Sequence, residues 1–385
     1  MRVCATRIAA TRIATTRLVT TRTVTVVVAA ALAGCTGVGG SPSETASTGA
    51  ASVAWRWTAP PPSYVGMPAA DHAGVAVTFG HSHVVLLDPM GQVRWTADRK
   101  RLRDVAPRLT PDAVLVATEE GVVAFDRTTG AQQWVADLGE RANTPVVAGG
   151  RVVISTWEGS LIGLDLASGS LVWRTGLGGP ALGPPSGSDD AVFASWEADF
   201  GAAAGVVSVV ASTGRERWTA PVTPGGVSGP GVVADPAGGP PTVVVVAGDS
   251  AAHGLVGDTG SERWRRELEG SGSPEDLPLD AGAGAALVAH RLGGLALLDA
   301  RDGALRWEVS SDGAAVRGGP AGPGPGGLFA LPLDDGRLLL AGPDRPTTVS
   351  DPPGRVSGVA AGPGGTLLVG VREADGNDLT AFTGW

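Results

Sequence analysis

The chain is nearly devoid of cysteine, lysine and tyrosine. Of its 385 residues only Cys4 and Cys35 are cysteine, and both precede the first repeated segment. A disulfide-stapled scaffold and thiol chemistry are therefore excluded from the repeated part. Lys100 is the one lysine, and the formal charge is −9 at pH 7. Binding nucleic acid needs a basic face that neutralises phosphates, so no nucleic acid partner is expected. No run reaches the roughly 20 apolar residues that a helix needs to span a bilayer. Sustained helical periodicity is missing as well, and so are Gly-x-Ser-x-Gly, His-Glu-x-x-His and the phosphate-binding loop. What abounds is glycine, 59 residues, and proline, 29, interleaved with short valine-rich runs that can form a core. The preference for arginine over lysine, with abundant Ala, Gly and Pro, suggests a high-GC bacterium.

The start of the chain reads as an address. Arg2, Arg7, Arg12, Arg17 and Arg22 punctuate a Thr/Ala-rich stretch without acids, and a short apolar run, Val24 to Ala33, follows. A charged start, a short apolar core and small residues before a cut describe a signal peptide, here residues 1–34. Leu32-Ala33-Gly34-Cys35 resembles a bacterial lipobox. That resemblance implies cleavage before Cys35 and lipid, including palmitate, on its thiol. Residues 35–52 then form the lipidated cysteine and a flexible tether without large apolar side chains. The expected location is the extracytoplasmic face of a cell membrane, as a lipoprotein of the cell envelope. Loss of the five leader arginines makes the mature part five charges more acidic.

From residue 53 to 385 a repeat takes over. Trp95, Trp134, Trp173, Trp218, Trp264 and Trp307 recur at intervals of 39 to 46 residues, each four positions after a glycine: Gly91, Gly130, Gly169, Gly214, Gly260 and Gly303. A period near 40 with strand, Gly-rich turn, strand marks a β-propeller. Residues 144–177 show one whole unit, four short strands parted by turns. In each turn the Asp and Thr/Ser side chains hold backbone, glycine takes a positive φ, and the indole wedges between blades. These six tryptophans are structural docking residues.

The ends of the chain decide the number of blades. Asp378–Trp385 reads as a third strand lacking a fourth, and Val53-Ala54-Trp55-Arg56-Trp57 reads as a fourth strand lacking a third. Pairing them, with Trp55 or Trp57 docked, closes the ring and removes an exposed sheet edge. With a degenerate blade near 328–349 the expectation is an all-β, eight-bladed propeller of four-stranded blades. Seven blades is the alternative if Gly318 to Pro353 does not make a full blade.

Ala124-Phe125-Asp126-Arg127-Thr128-Thr129-Gly130-Ala131-Gln132-Gln133-Trp134 matches the tryptophan-docking pattern of pyrroloquinoline-quinone propellers, Ala-x-Asp-x-x-Thr-Gly-x-x-x-Trp, while Asp88, Asp165 and Asp299 keep the aspartate in looser copies. The repeated part is similar to PQQ-like repeat β-propellers, among them the propeller lipoproteins of outer-membrane barrel-assembly machines, sensor regions of membrane kinases and the quinoproteins. Enzymatic members are longer and hold calcium and the quinone in a central funnel, many above a disulfide of adjacent cysteines. No matching ion ligands, catalytic residues or cysteine pair occur here. The resemblance thus implies a non-enzymatic, monomeric binding or scaffold module without cofactor. Its partner would be a protein, peptide or envelope polymer; a quinoprotein-like enzyme is the alternative.

A binding rim is expected where the second strand of each blade turns into the third. Aligning on the tryptophans brings together Phe79, His81 and His83, then Glu119 and Glu120, Trp157-Glu158, Trp196-Glu197, Asp249, His290-Arg291, Asp334-Asp335 and Arg372-Glu373. Turns favour polar residues, which accounts for most of the acids but not for two non-docking tryptophans in equivalent places. His81-x-His83 has metal-pair spacing; in a turn it reads instead as solvated, as do His72, His253 and His290. The lipobox carries the first prediction. Replacing Cys35 by Ser should release the protein from membranes or leave an unprocessed precursor, scored by fractionation and the precursor's mobility.

Overall fold

The computed structural model describes residues 51–385 except 62, 199–200, 269–278, 283, 291–293, 311–320, 325–326, 334, 343–344, 351–354 and 373–376. The expected leader, Cys35 and most of the tether lie outside the described residues. Gly49–Trp385 form one compact unit. It is a β-propeller without any α-helix among the described residues; a short 3-10 turn, Pro363–Gly365, lies between two strands near the end of the chain.

Blade 1 shows the plan: Ala69–Asp71, Gly74–Phe79, His83–Leu87 and Val93–Asp98, here strands A to D, form an antiparallel sheet in chain order. Valine and leucine dominate B and C, which are buried on both faces. Strand D alternates, with Trp95 buried between exposed neighbours. Blades 2 to 6 occupy residues 108–137, 146–176, 186–222, 231–267 and 279–310, each four-stranded. Blade 7 comprises Phe329–Pro332, Leu338–Gly342 and Arg345–Ser350, a three-stranded sheet. Only an isolated Ala321–Ala330 bridge marks where its inner strand would run. Blade 8 takes Arg355–Ala361, Leu367–Arg372 and Asn377–Thr383 from the end of the chain and Ser52–Thr58 from its start. Seven four-stranded blades are thus complete, which matches the seven-blade alternative; the Pro/Gly-rich region makes no full blade and supplies a three-stranded sheet, here kept as number 7.

Each hydrophobic cluster is shared between neighbours. Ile154, Ile162 and Leu164 of blade 3 pack with Leu115 and Trp134 of blade 2, and the same arrangement recurs at every seam. At the closing seam Leu379 and Ala381 of blade 8 meet Val75, Val77 and Val85 of blade 1. Ser52–Thr58 pairs antiparallel with Asn377–Thr383, and Arg56 reaches Asp378 at 3.3 Å. The ring therefore closes with strands from both ends, as the half-blades imply.

Docking runs from one blade onto the next. The Trp95 indole N–H donates to the Arg127 carbonyl at 2.9 Å, Trp173 to Ala211 at 3.0 Å, Trp218 to Gly257 at 2.9 Å and Trp264 to Ala300 at 2.9 Å. Trp55 completes the set on blade 1, donating to Pro89 at 3.0 Å. Each ring lies over the turn glycine of the following blade, where φ is 69° to 78° and an added Cβ would come within 2.7 Å of the indole. Glycine is required there twice over, for its backbone and for its missing side chain. The Asp126 carboxylate accepts from the Thr129 hydroxyl and the N–H groups of Thr128 and Thr129, which hold it below the usual carboxylate range.

Two seams depart from the pattern. Trp307 meets Phe329 of blade 7 at a centroid distance of 6.1 Å. Between blades 7 and 8, where strand D has no tryptophan, Trp385 fills the seam, donating to the Gly365 carbonyl at 2.9 Å.

Trp173→Ala should cost about 3–5 kcal/mol through the cavity it leaves. Gly214→Ala should also destabilise, because its Cβ would strike that ring. Urea denaturation of the double variant should show less than the summed loss, since the three atoms the new methyl would strike all belong to the indole that is removed, leaving the positive-φ cost.

Candidate functional site

Antiparallel order sends the A–B and C–D turns to one face and the B–C turns and D–A connections to the other. The docking turns occupy the first face and the candidate rim the second. On the rim face the seam of blades 2 and 3 is the most developed.

Trp157 sits in the turn Thr156–Gly159, closed by the Gly159 N–H on the Thr156 carbonyl at 3.2 Å. Its indole N–H donates to the Asn143 side-chain carbonyl at 3.1 Å. Asn143 is buried, and its amide nitrogen donates to Ser155 Oγ, the Ala181 carbonyl and the Gly183 carbonyl at 3.1, 2.9 and 3.0 Å. The indole edge is thus fixed to buried backbone, while the residue stays 37% exposed. Arg141 and Arg103 stand 5.2 and 5.8 Å from the ring centroid, within cation–π range.

The surrounding charges are matched. Arg141 Nε meets Glu158 at 3.1 Å, and its backbone N–H donates to the same carboxylate at 2.9 Å. Arg103 lies 3.6 Å from Glu119, Arg101 pairs with Glu120, and Arg174 pairs with Glu140. Four cations pair with four acids on this part of the face, and two of the cations, Arg103 and Arg141, border the indole. With its charges neutralised in place, the patch offers an apolar, rigid aromatic surface with arginine borders, the composition typical of energetic centres in protein interfaces.

Other rim candidates are used differently. Trp196 and Trp157 are not equivalent: Trp196 is the sixth residue counted from the start of its B strand and Trp157 the seventh. One step along a strand reverses the side. Blade 4 extends both strands through Ala198 and Ala203, so Trp196 lies within the sheet, half-buried, against Gly178 and Gly205. Glu197 accepts from the N–H groups of Gly225 and Gly226 at 3.2 and 2.8 Å, fastening the next connection. Phe79 is a core residue of the closing seam, only 4% exposed.

His83 stacks on Phe79 and meets Asp98 at 2.7 Å, and His81 lies 3.5 Å from Asp104. The two histidines have separate partners, and no group of three or more His, Cys, Asp or Glu able to hold a metal occurs among the described residues. Asp249 accepts from His253 Nε2, Arg265 Nε and the Thr223 hydroxyl. Burial alone would raise its carboxyl; the bonds from His253 and Arg265 outweigh this and hold it below its usual value. His253, read from sequence as solvated, is buried, with its second nitrogen 2.8 Å from Glu262. The Arg291, Asp334 and Glu373 positions and the side chains of His290 and Arg372 lie outside the described residues.

Arginines of the D–A connections (Arg101, Arg103 and Arg141) and Asn143 complete the Trp157 site without having been singled out from sequence. They fall between the repeated motifs, where no periodic signal marks them. On the docking face, Arg127 Nη2 bonds Asp71 at 2.5 Å and Nη1 the Thr110 carbonyl at 2.6 Å, tying blade 1 to blade 2. Arg301 and Asp235 repeat this latch at 3.0 Å between blades 5 and 6, beside a groove of about 330 Å³.

The fold and its docked turns define a PQQ-like repeat propeller. The family described as outer membrane protein assembly factor BamB matches residues 118–271 and 202–379, and the chain belongs to that family. Among solved structures it is similar to BamB from Moraxella catarrhalis, with a TM-score of 0.66 and 17% identity over 86% of this chain and 99% of that one. The computationally designed Ika8 protein matches with a TM-score of 0.68 and 13% identity over 83% and 96%. The quinohemoprotein alcohol dehydrogenase from Comamonas testosteroni matches with 0.65 and 14% over 86% and 76%. At these identities the likeness is one of fold. No curated protein matches the chain.

The Asp71–Arg127 latch makes stability sensitive to acid. Burial would raise the Asp71 carboxyl, but the Arg127 and Ala73 hydrogen bonds prevail and lower it. A carboxyl lowered on folding stabilises at neutral pH, and that contribution is lost as pH falls through the folded-state value. Asp71→Asn should therefore melt lower than the parent at neutral pH and lose less between neutrality and about pH 3. Melting curves across that range check it.

Proposed function

We propose that this chain is a membrane-anchored, extracytoplasmic scaffold that binds a protein or peptide partner through the rim face of blades 2 and 3 and performs no catalysis. Membership of a family described by an outer-membrane assembly factor supports a binding role, and the leader with Cys35 supports the location. The observation that carries the reading is the half-exposed Trp157, locked by Asn143 and bordered by two arginines.

The chemistry follows from that geometry. A fixed indole loses little side-chain entropy on binding, so an apolar side chain laid on it gains most of the free energy of desolvation. The paired arginines and glutamates fix the partner's orientation through hydrogen bonds and contribute little net attraction, because their charges are already matched. Turns can carry this role without endangering the ring, whose stability resides in the seams.

The quinoprotein reading draws on fold alone. Calcium takes 6–8 oxygen ligands, commonly several carboxylates, and the described residues hold no such group. That donor set does not fit a calcium-held quinone.

A photo-cross-linking residue at position 157 should give a discrete adduct in cells, identified by mass spectrometry, whereas one at Thr213 on the opposite face should give none. Trp157→Ala should abolish capture of that same partner while shifting the melting temperature far less than Trp173→Ala. Equal destabilisation by the two alanines would make Trp157 a packing residue and end the proposal.

A further inference from the structure

One inner strand carries a charge, Arg108, that has no acceptor among the described residues. Arg108 opens strand A of blade 2 and pairs with Leu115, the third residue of strand B. The residues paired at the same level in other blades are Ala69, Val146, Ser186, Gly231, Leu279 and Ala360, all uncharged. Of the eight sheets only the three-stranded one lacks a described residue at this level. Leu109, the next residue, turns into the cluster between blades 1 and 2. Strand alternation sends Arg108 the other way. It remains open to solvent, so it stands on the innermost edge of its sheet, beside the propeller axis. Several other guanidiniums of the propeller meet carboxylates, among them Arg101, Arg103, Arg127, Arg141 and Arg174. Arg108 meets no acceptor among the described residues.

We infer that Arg108 is the anchor of an oxyanion site in the central channel, taking a small phosphate or carboxylate ligand. A guanidinium offers five donors in a planar fork that matches two oxygens of either group. Water can reach it, but surrounding protein is dense enough that burial alone draws its proton affinity below the ordinary arginine value. A cation so placed has lost part of its hydration without an internal partner, and an entering anion restores what is missing. The described residues at its level supply no competing carboxylate, and also no second cation. The site should therefore prefer oxyanions over chloride through geometry rather than through accumulated charge. This inference is independent of the Trp157 rim, which lies on a B–C turn.

The test uses the full-length chain at low ionic strength, titrated with sodium phosphate and, separately, sodium citrate, against sodium chloride at matched ionic strength. Calorimetry and melting temperature are read together. Saturable binding and a rise in melting temperature beyond that given by chloride are expected for at least one oxyanion, and the tighter of the two identifies the ligand chemistry. Arg108→Met should weaken that binding by about tenfold or more, and should melt no lower than the parent without anion. Arg108→Lys should keep part of the binding. Arg215→Met, which removes an exposed arginine from a docking turn of blade 4, should leave it unchanged. Arg108→Gln gives the same readout should the methionine variant not fold. The inference is overturned if neither oxyanion binds saturably, or if the Arg108 and Arg215 variants respond alike.

Discussion

The contact between an indole and the bare backbone of a glycine in the next blade organises this molecule. It fixes the distance between neighbouring sheets, demands a left-handed turn residue without a side chain, and supplies the indole N–H with a carbonyl. Because each ring belongs to one blade and each glycine to the next, no blade completes its own packing. The shared apolar clusters express the same dependence. Stability is consequently a property of seams, with the turns of the opposite face left free to carry recognition.

That division of labour explains what was legible in the sequence. A motif repeated six times with the same glycine-to-tryptophan spacing announces its structural role, and the complementary half-blades announce the closing sheet. Even the ambiguity over blade number has a physical basis: the Pro/Gly-rich region builds a sheet of three strands where its neighbours have four. Trp385 was less visible, because it reaches the seam from beyond a C strand and not from strand D.

The candidate sites were only partly legible, for the opposite reason. Function here rests on residues that break the repeat, and a single occurrence gives no period to read. Trp157 stood out as an aromatic in a turn, but its arginine borders and Asn143 lie in irregular connections. Trp196 looked equivalent until the register showed a one-residue offset, enough to turn it onto the sheet. Arg108 resembled any surface arginine. Only the register of seven inner strands reveals that its peers are neutral.

Closure by both ends has a consequence for how the chain is made. Ser52 and Thr383 share a hydrogen bond of 2.9 Å across a separation of 331 residues. During vectorial synthesis the strand Ser52–Thr58 is therefore among the first of the propeller to exist and the last to find its neighbour. Throughout that interval it is an orphan edge, prone to pair with whatever strand passes. Arg56, set between Trp55 and Trp57, interrupts its apolar character and later finds Asp378. The carboxylate that matches this charge lies more than 300 residues downstream, so the strand's ion pair, like its hydrogen bonds, forms only when the ring closes.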